Sequence, residues 1–151
     1  MAPHRLEYKL GPIGRDVYGP IFPTLTMIKL LLVDDQAVMR EAVSVWLGIE
    51  PDVTIVGQAE SGEAALALAP NLQPDIILMD IDMPTLDGIA TTQRLRDILP
   101  SSAVVILSMH DDDHVRAQAE AAGARGFVSK YQALDQLLDV IRSVAARPAA
   151  A

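Results

Sequence analysis

From Met27 to Val144 the chain alternates short apolar runs with longer segments whose apolar residues recur at helical spacing. The runs Ile28–Val33, Val53–Gly57, Ile76–Met79, Val104–Leu107 and Gly126–Val128 are too short for helices. Their nearly unbroken apolar character predicts strands buried on both faces. Each is followed by a helical segment. After the first strand, Val38, Ala42, Val45, Trp46 and Ile49 fall on one helix face, and after the fifth, Leu134, Leu137, Leu138, Ile141 and Val144 do the same, so both helices are expected to pack on a sheet. Ser61 opens a helix through Glu63–Leu68, Gly88–Leu99 predicts a third, and Asp111–Ala122 a fourth that Gly123 terminates. Pro51, Pro74 and Pro100 fall in the gaps.

Strands and helices alternating with such short connections predict a doubly wound α/β fold: a five-stranded parallel sheet, right-handed crossovers, and helices on both faces. Ligands of such folds sit beyond the carboxyl ends of the strands, where the strand order switches direction. Outside this region, residues 1–26 hold Pro3, Pro12, Pro20 and Pro23 with Gly11, Gly14 and Gly19 and no periodicity, and read as an extension, with Met27 as the natural start. Residues 27–145 form one domain, and 146–151, rich in Ala with one Pro, resemble the start of a linker.

The totals narrow the function. Half of the 151 residues are hydrophobic, enough for one domain with a real core. A formal net charge of -8 gives no global attraction to nucleic acid or an anionic membrane. The absence of cysteine excludes disulfides and thiolate metal sites. There is no long uncharged apolar run and no basic-then-apolar leader pattern, so the expected location is the cytoplasm.

The candidate chemistry lies at the strand ends. Asp34 and Asp35 follow the first strand, Asp80 ends the third, Ser108 ends the fourth and Lys130 lies just past the fifth. Three crowded carboxylates repel one another unless one takes up a proton or a cation intervenes. A hard divalent cation such as Mg2+ suits oxygen ligands and is commonly held by one or two carboxylates plus phosphate oxygens. A carboxylate can also attack phosphorus to give an acyl phosphate, provided the charge of the transferring group is neutralised, which Lys130 and Mg2+ could do. Taken singly, each residue has a plainer reading: Asp34 or Asp35 as a helix cap, Ser108 as a turn residue, Lys130 as a surface lysine. Their joint placement on successive strand ends favours the site.

Five stretches carry a family resemblance: L-L-V-D-D-Q at 31–36, D-I-I-L-M-D-I-D-M-P at 75–84, L-D-G at 86–88, I-L-S-M-H at 106–110 and G-F-V-S-K at 126–130. With them the chain resembles the receiver domains of two-component response regulators from about Lys29 to Val144, most closely the NarL/FixJ type. The resemblance implies a flavodoxin-like strand order 2-1-3-4-5 and a phosphoryl switch, not an enzyme acting on other substrates. By it, Asp80 is the phosphoacceptor, Asp35, Asp80 and the backbone carbonyl of Asp82 bind Mg2+, Asp34 acts largely through water, and Ser108 and Lys130 contact the phosphoryl group. Ser108 and Phe127 are the switch residues, and Asp82, Met109 and His110 flank the path of the water that removes the phosphoryl group. A sensor histidine kinase or a small phosphodonor is the implied partner. Phosphorylation is expected to favour a homodimer through the fourth helix, fifth strand and fifth helix, with Arg116, Asp135, Asp139 and Arg142 as candidate cross-subunit charges, or through the first and fifth helices as in some relatives. This type usually carries a C-terminal DNA-binding domain. The chain departs from the pattern in having Tyr131 where many relatives have proline, and Phe rather than Tyr at the switch position, so that position carries no hydroxyl.

Two other readings compete. D-I-D after an apolar strand also resembles the nucleophile motif of haloacid dehalogenase-type phosphatases, with Asp82 as acid/base, but Pro84 stands where that motif wants Thr or Val and Asp34 and Asp35 go unexplained. A pseudo-receiver used only for binding typically lacks acids or the lysine, and here the set is complete.

Overall fold

A computed structural model describes residues 27–132 and 134–147 of the chain, so the extension 1–26 and the end of the tail lie outside the described residues. Strands β1 (Ile28–Val33), β2 (Val53–Ala59), β3 (Ile76–Met79), β4 (Ala103–Ser108) and β5 (Gly126–Ser129) alternate with helices α1 (Ala37–Gly48), α2 (Gly62–Leu72), α3 (Gly88–Ile98), α4 (Asp113–Ala122) and α5 (Leu134–Ala146). The strands pair in parallel in the order β2-β1-β3-β4-β5. This is the doubly wound sheet expected from the pattern, in the flavodoxin-like order that the resemblance implies. The chain leaves β1 in one direction to reach β2 and crosses back to β3, so the switch point lies between the ends of β1 and β3.

Period-two alternation divides the core. Leu30 and Leu32 of β1 face one cluster with Val43 and Leu47 of α1 and Leu137, Leu138, Ile141 and Val144 of α5. Leu31 and Val33 face the other, with Ala65 and Ala69 of α2, Leu95 of α3 and Ala119 of α4. Both sheet faces are therefore covered, which is why the strands read as continuous apolar runs. Each fully buried Leu or Ile contributes roughly 1.5–3 kcal/mol of transfer free energy.

Of the α1 face expected to pack on the sheet, only Trp46 does so, and the rest turns outward. Val38, Val45 and Ile49 are 83%, 67% and 75% exposed, and Ala42 is exposed too. Val43 and Leu47 are buried instead, with Met39 and Trp46 packed beside them. The helix carries two apolar stripes one residue apart, and the bulkier one, with Met39, Trp46 and Leu47, reaches the sheet. The face predicted for α5 is correct except at Leu134, which is exposed.

The helix ends follow local chemistry. The Ser61 hydroxyl accepts the Ala64 N–H at 3.0 Å to start α2, which then runs past the expected Leu68 and through Pro70 to Leu72. Asp112 accepts from Val115 N at 2.8 Å, so α4 starts at Asp113, two residues later than expected, and Gly123 ends it with φ of 109°. α5 reaches Ala146, one residue into the stretch assigned to the tail.

Two of the charges proposed for a subunit contact are used within the chain. Arg142 donates to Asp52 through Nε (2.8 Å) and Nη2 (2.9 Å) and to Glu50 through Nη2 (3.1 Å), tying α5 to the segment before β2. The Arg142 hydrogen bond holds the Asp52 carboxyl below its ordinary pKa, against the opposing effect of burial. Arg116 pairs with Asp111, at 2.5 Å from Nη2, and stacks over the Phe127 ring at 4.5 Å.

Candidate functional site

The site is built by continuing the strand ladder one residue beyond each strand. Asp34 N donates to Ala59 O at 3.1 Å, Asp80 N to Val33 O at 2.9 Å, and Lys130 N to Ser108 O at 2.8 Å. These bonds bring the residues after β1, β3 and β5 to one sheet edge in fixed register. The loop after β3 is held by close approach. A side chain at Gly88, the first residue of α3, would place its Cβ 2.0 Å from the carbonyl oxygen of Asp80, so only glycine lets α3 start against the end of β3. Asp87 caps that helix by accepting from Ala90 N at 2.8 Å.

Oxygens of Asp34, Asp35 and Asp80 lie within 4.8 Å of one another. Asp34 and Asp80 are buried and Asp35 is exposed. Lys130 reaches across with a side chain only 9% exposed, its Nζ 3.2 Å from Asp80 Oδ1 and 3.3 Å from Asp34 Oδ2. One ammonium among three acids leaves excess negative charge. Burial first, and then the Asp34 charge, push the Asp80 carboxyl up to about 6, against the opposing pull of Lys130 and of the Asp82 backbone amide. For Lys130, burial works against the ammonium, but Asp80 and Asp34 outweigh it and hold its pKa above the usual lysine value.

The capping explanation for the first acids fails. The N-cap of α1 is Gln36, with no side-chain cap, and its first turn contains no acid. Asp34 Oδ1 instead accepts the Gln36 N–H at 2.9 Å in a local turn, leaving Oδ2 to Lys130.

Ser108 is fully buried at the end of β4, and its Oγ accepts the His110 N–H at 3.0 Å, so its own proton remains to be donated. Met109, the residue after it, is half exposed. The exposed residues Asp82 and His110 meet each other, Oδ2 to Nε2 at 2.9 Å. Phe127 is half-buried under Arg116, and packs against the α2–α4 side of the core. After β5, the Gln132 side chain accepts from Ser129 N (3.0 Å) and Ser129 Oγ accepts from Tyr131 N (3.2 Å), closing the lysine loop with Tyr131 in place of proline and with no cis peptide among the described residues.

The fold and this geometry can be set beside known proteins. The response regulator receiver domain model matches residues 30–142. The chain belongs to that family. Over 118 residues it is 36% identical to the transcriptional regulatory protein DegU of Brevibacillus brevis, covering 78% of this chain and 50% of DegU. It is likewise 36% identical over 119 residues to the nitrate/nitrite response regulator NarL of Escherichia coli K12, covering 78% of this chain and 54% of NarL. The chain thus spans about half the length of these curated relatives. Among solved structures, the signal receiver domain of NarL from Mycobacterium tuberculosis superposes with a TM-score of 0.76 at 30% identity, covering 81% of this chain and 99% of that one.

This receiver domain therefore joins Asp34, Asp35, Asp80 and Lys130 in one cluster, places Ser108 on the neighbouring strand end, and pairs Asp82 with His110. The family match leaves the haloacid dehalogenase reading without support, and the complete acid and lysine set speaks against a pseudo-receiver. Arg40 and the Arg116–Phe127 contact escaped the sequence reading of the site. A basic residue six positions after Asp34 in a helical pattern was the available signal for the first, and a cation in the first turn of α4 for the second.

Proposed function

We propose that this receiver domain accepts a phosphoryl group on Asp80 from a sensor histidine kinase or a small phosphodonor, and that the modification switches an output such as transcription in a longer response regulator. The observation that carries this is the cluster itself: a buried carboxylate at the switch point, 3.2 Å from a buried lysine and beside two further acids. One Asp80 oxygen forms the new bond to phosphorus while the bond from phosphorus to the donor's nitrogen or oxygen breaks, the leaving group keeping the electron pair. The three mutually close carboxylates fit a hard divalent cation. Asp35, Asp80 and the Asp82 carbonyl would hold Mg2+, with Asp34 acting largely through water, and the ion would supply charge neutralisation at the phosphoryl oxygens. Lys130 meets the same charge from the other side, and the Ser108 hydroxyl donates to a phosphoryl oxygen. No described helix is long and apolar enough to cross a membrane, in keeping with a cytoplasmic switch.

Incubation with a small acyl phosphate and Mg2+ should add one acid-stable, base-labile phosphoryl group per chain, and EDTA should abolish it. Asp80→Asn should remove the label, and labelling at the wild-type rate would overturn the assignment. In the same assay Met109→Ala should shorten the label's half-life, because Asp82, Met109 and His110 stand where water must approach in line.

The switch follows from Ser108. Movement of its hydroxyl toward the phosphoryl group shifts the loop after β4 and opens space for Phe127 to turn inward, away from Arg116. That contact is worth roughly 0.5–1 kcal/mol at an exposed site, so it biases the resting position without locking it. A homodimer is the proposed readout. Because Arg142 and Arg116 are paired within the chain, the exposed stripe of Val38, Ala42, Val45 and Ile49 on α1, with Leu134 of α5, favours the surface of the first and fifth helices. Sedimentation with beryllofluoride should show a dimer that Val45→Glu abolishes. A dimer unaffected by Val45→Glu would exclude this surface.

A further inference from the structure

We infer that Arg40 is a positioning residue for the acids after β1, an inference that rests on reading this cluster as the Mg2+ and phosphoryl site. Arg40 lies in the first turn of α1, half-buried, and its Nη1 donates to the carbonyl oxygen of Asp34 at 2.5 Å. With that bond, every polar atom of Asp34 is engaged. Its N–H donates to Ala59 O, Oδ1 accepts from Gln36 N, Oδ2 faces the Lys130 ammonium, and its carbonyl accepts from Arg40. The first comes from the strand ladder, the second from a local turn and the third from the site lysine. Among the described residues Arg40 alone fixes the carbonyl, and with it the peptide plane between Asp34 and Asp35. That plane sets the directions in which the two neighbouring acids leave the backbone.

Packing does not account for the guanidinium. Its Nε is buried without a hydrogen-bond partner among the described residues, and a charged donor left so costs more than a neutral one. An unbranched apolar side chain would fill the same space without that cost. Arg40 also lines a cavity of about 20 Å3 together with Asp34 and Asp80. The group can act on a bound cation in two opposed ways: its charge repels the ion, whereas its hydrogen bond preorganises the ligands. The bond goes to a backbone carbonyl, so Arg40 itself takes up none of the carboxylate oxygens. Orientation is the expected net effect, since loss of an outer-shell partner typically weakens a metal site ten- to a hundredfold.

The test is a Mg2+ titration of the full chain followed by the amide shifts of Asp34, Asp35 and Asp80. Arg40→Met should weaken Mg2+ binding about tenfold, while Arg40→Lys, which keeps a donor and the charge, should retain most of the affinity. Phosphorylation of Arg40→Met by an acyl phosphate should need correspondingly more Mg2+ yet reach the wild-type rate at saturation, a split that general loss of structure would not produce. Should Arg40→Met fail to fold, Arg40→Gln, whose shorter neutral donor falls short of the carbonyl, should show the same weakening. Unchanged or tighter Mg2+ binding in a folded Met or Gln variant would overturn the positioning role and assign Arg40 to charge alone. If wild-type chain gave no Mg2+-dependent shift at these three residues, the metal reading of the site would fall first, and the inference with it.

Discussion

Replacing Lys130 with methionine should destabilise the metal-free domain by about 3 kcal/mol at pH 8, because it removes one partner of a buried ion pair and leaves the acids uncompensated. The side chain is almost fully buried and touches both Asp80 and Asp34, so solvent offers little screening. Methionine fills the channel of the lysine stem, which limits the loss to the charge. The effect has a defined pH dependence. The fold raises the lysine's pKa, so its stabilising contribution is complete below the unfolded value of 10.5 and is lost only as pH rises through the higher folded one. Toward pH 4 the variant's deficit should shrink, since Asp80, already shifted upward, takes up a proton and no longer needs the cation. Phosphorylation should slow about a hundredfold, the usual cost of removing one preorganised positive group from a transferring phosphoryl. Urea unfolding at pH 5 and pH 8 separates the two cases, and equal stability of variant and wild type at pH 8 would remove Lys130 from its role as counter-charge.

How much of this was legible in the sequence depends on which force positioned each residue. The strands were legible because burial on both faces leaves an unbroken apolar run with few alternatives. The order of site residues was legible because the strand ladder places Asp34, Asp80 and Lys130 one residue past their strands, a consequence of backbone hydrogen bonding that side-chain identity hardly alters. The packing face of α1 was not legible. Two apolar stripes offset by one residue give the same periodicity, and the choice between them is made by the volume the sheet can accept, which the pattern does not encode. The outward stripe then has a meaning of its own, as apolar surface available to a partner.

The electrostatic detail was legible only in part. That three acids need a cation could be argued from charge, yet the pairing of Arg142 with Asp52 and Glu50 depends on approaches between segments some 90 positions apart. Arg116 shows the same limit: its place over Phe127 needs the α4 start, which Asp112 sets two residues later than the pattern suggested. Short polar contacts at element ends are fixed by cap geometry, where boundaries are hardest to read.

Asp80 itself should be a source of instability. Holding a carboxylate ionised when its pKa has moved from 3.8 to about 6 costs roughly 3 kcal/mol at neutral pH. For an acid raised in this direction, the stabilising contribution is full below pH 3.8 and is lost as pH rises through about 6. Metal-free wild type should therefore lose stability across that window. Asp80→Asn keeps the shape and removes the charge, so it should be more stable than wild type by about 2 kcal/mol at pH 7.5, several degrees in the midpoint for a domain of this size, with the advantage vanishing near pH 4. Mg2+ should reverse the ranking. A ligand that binds only the folded state stabilises it by RT ln(1 + L/Kd), where L is the free ligand concentration, and wild type, with its charge complement intact, gains this while the asparagine variant largely forfeits it. Thermal unfolding of both proteins at pH 4 and 7.5, with EDTA and with excess Mg2+, gives the four comparisons needed. Wild type more stable than Asp80→Asn at pH 7.5 in EDTA would mean that the buried carboxylate is not held at a cost, and that the crowding of Asp34 and Asp80 is fully compensated by Lys130 without a metal.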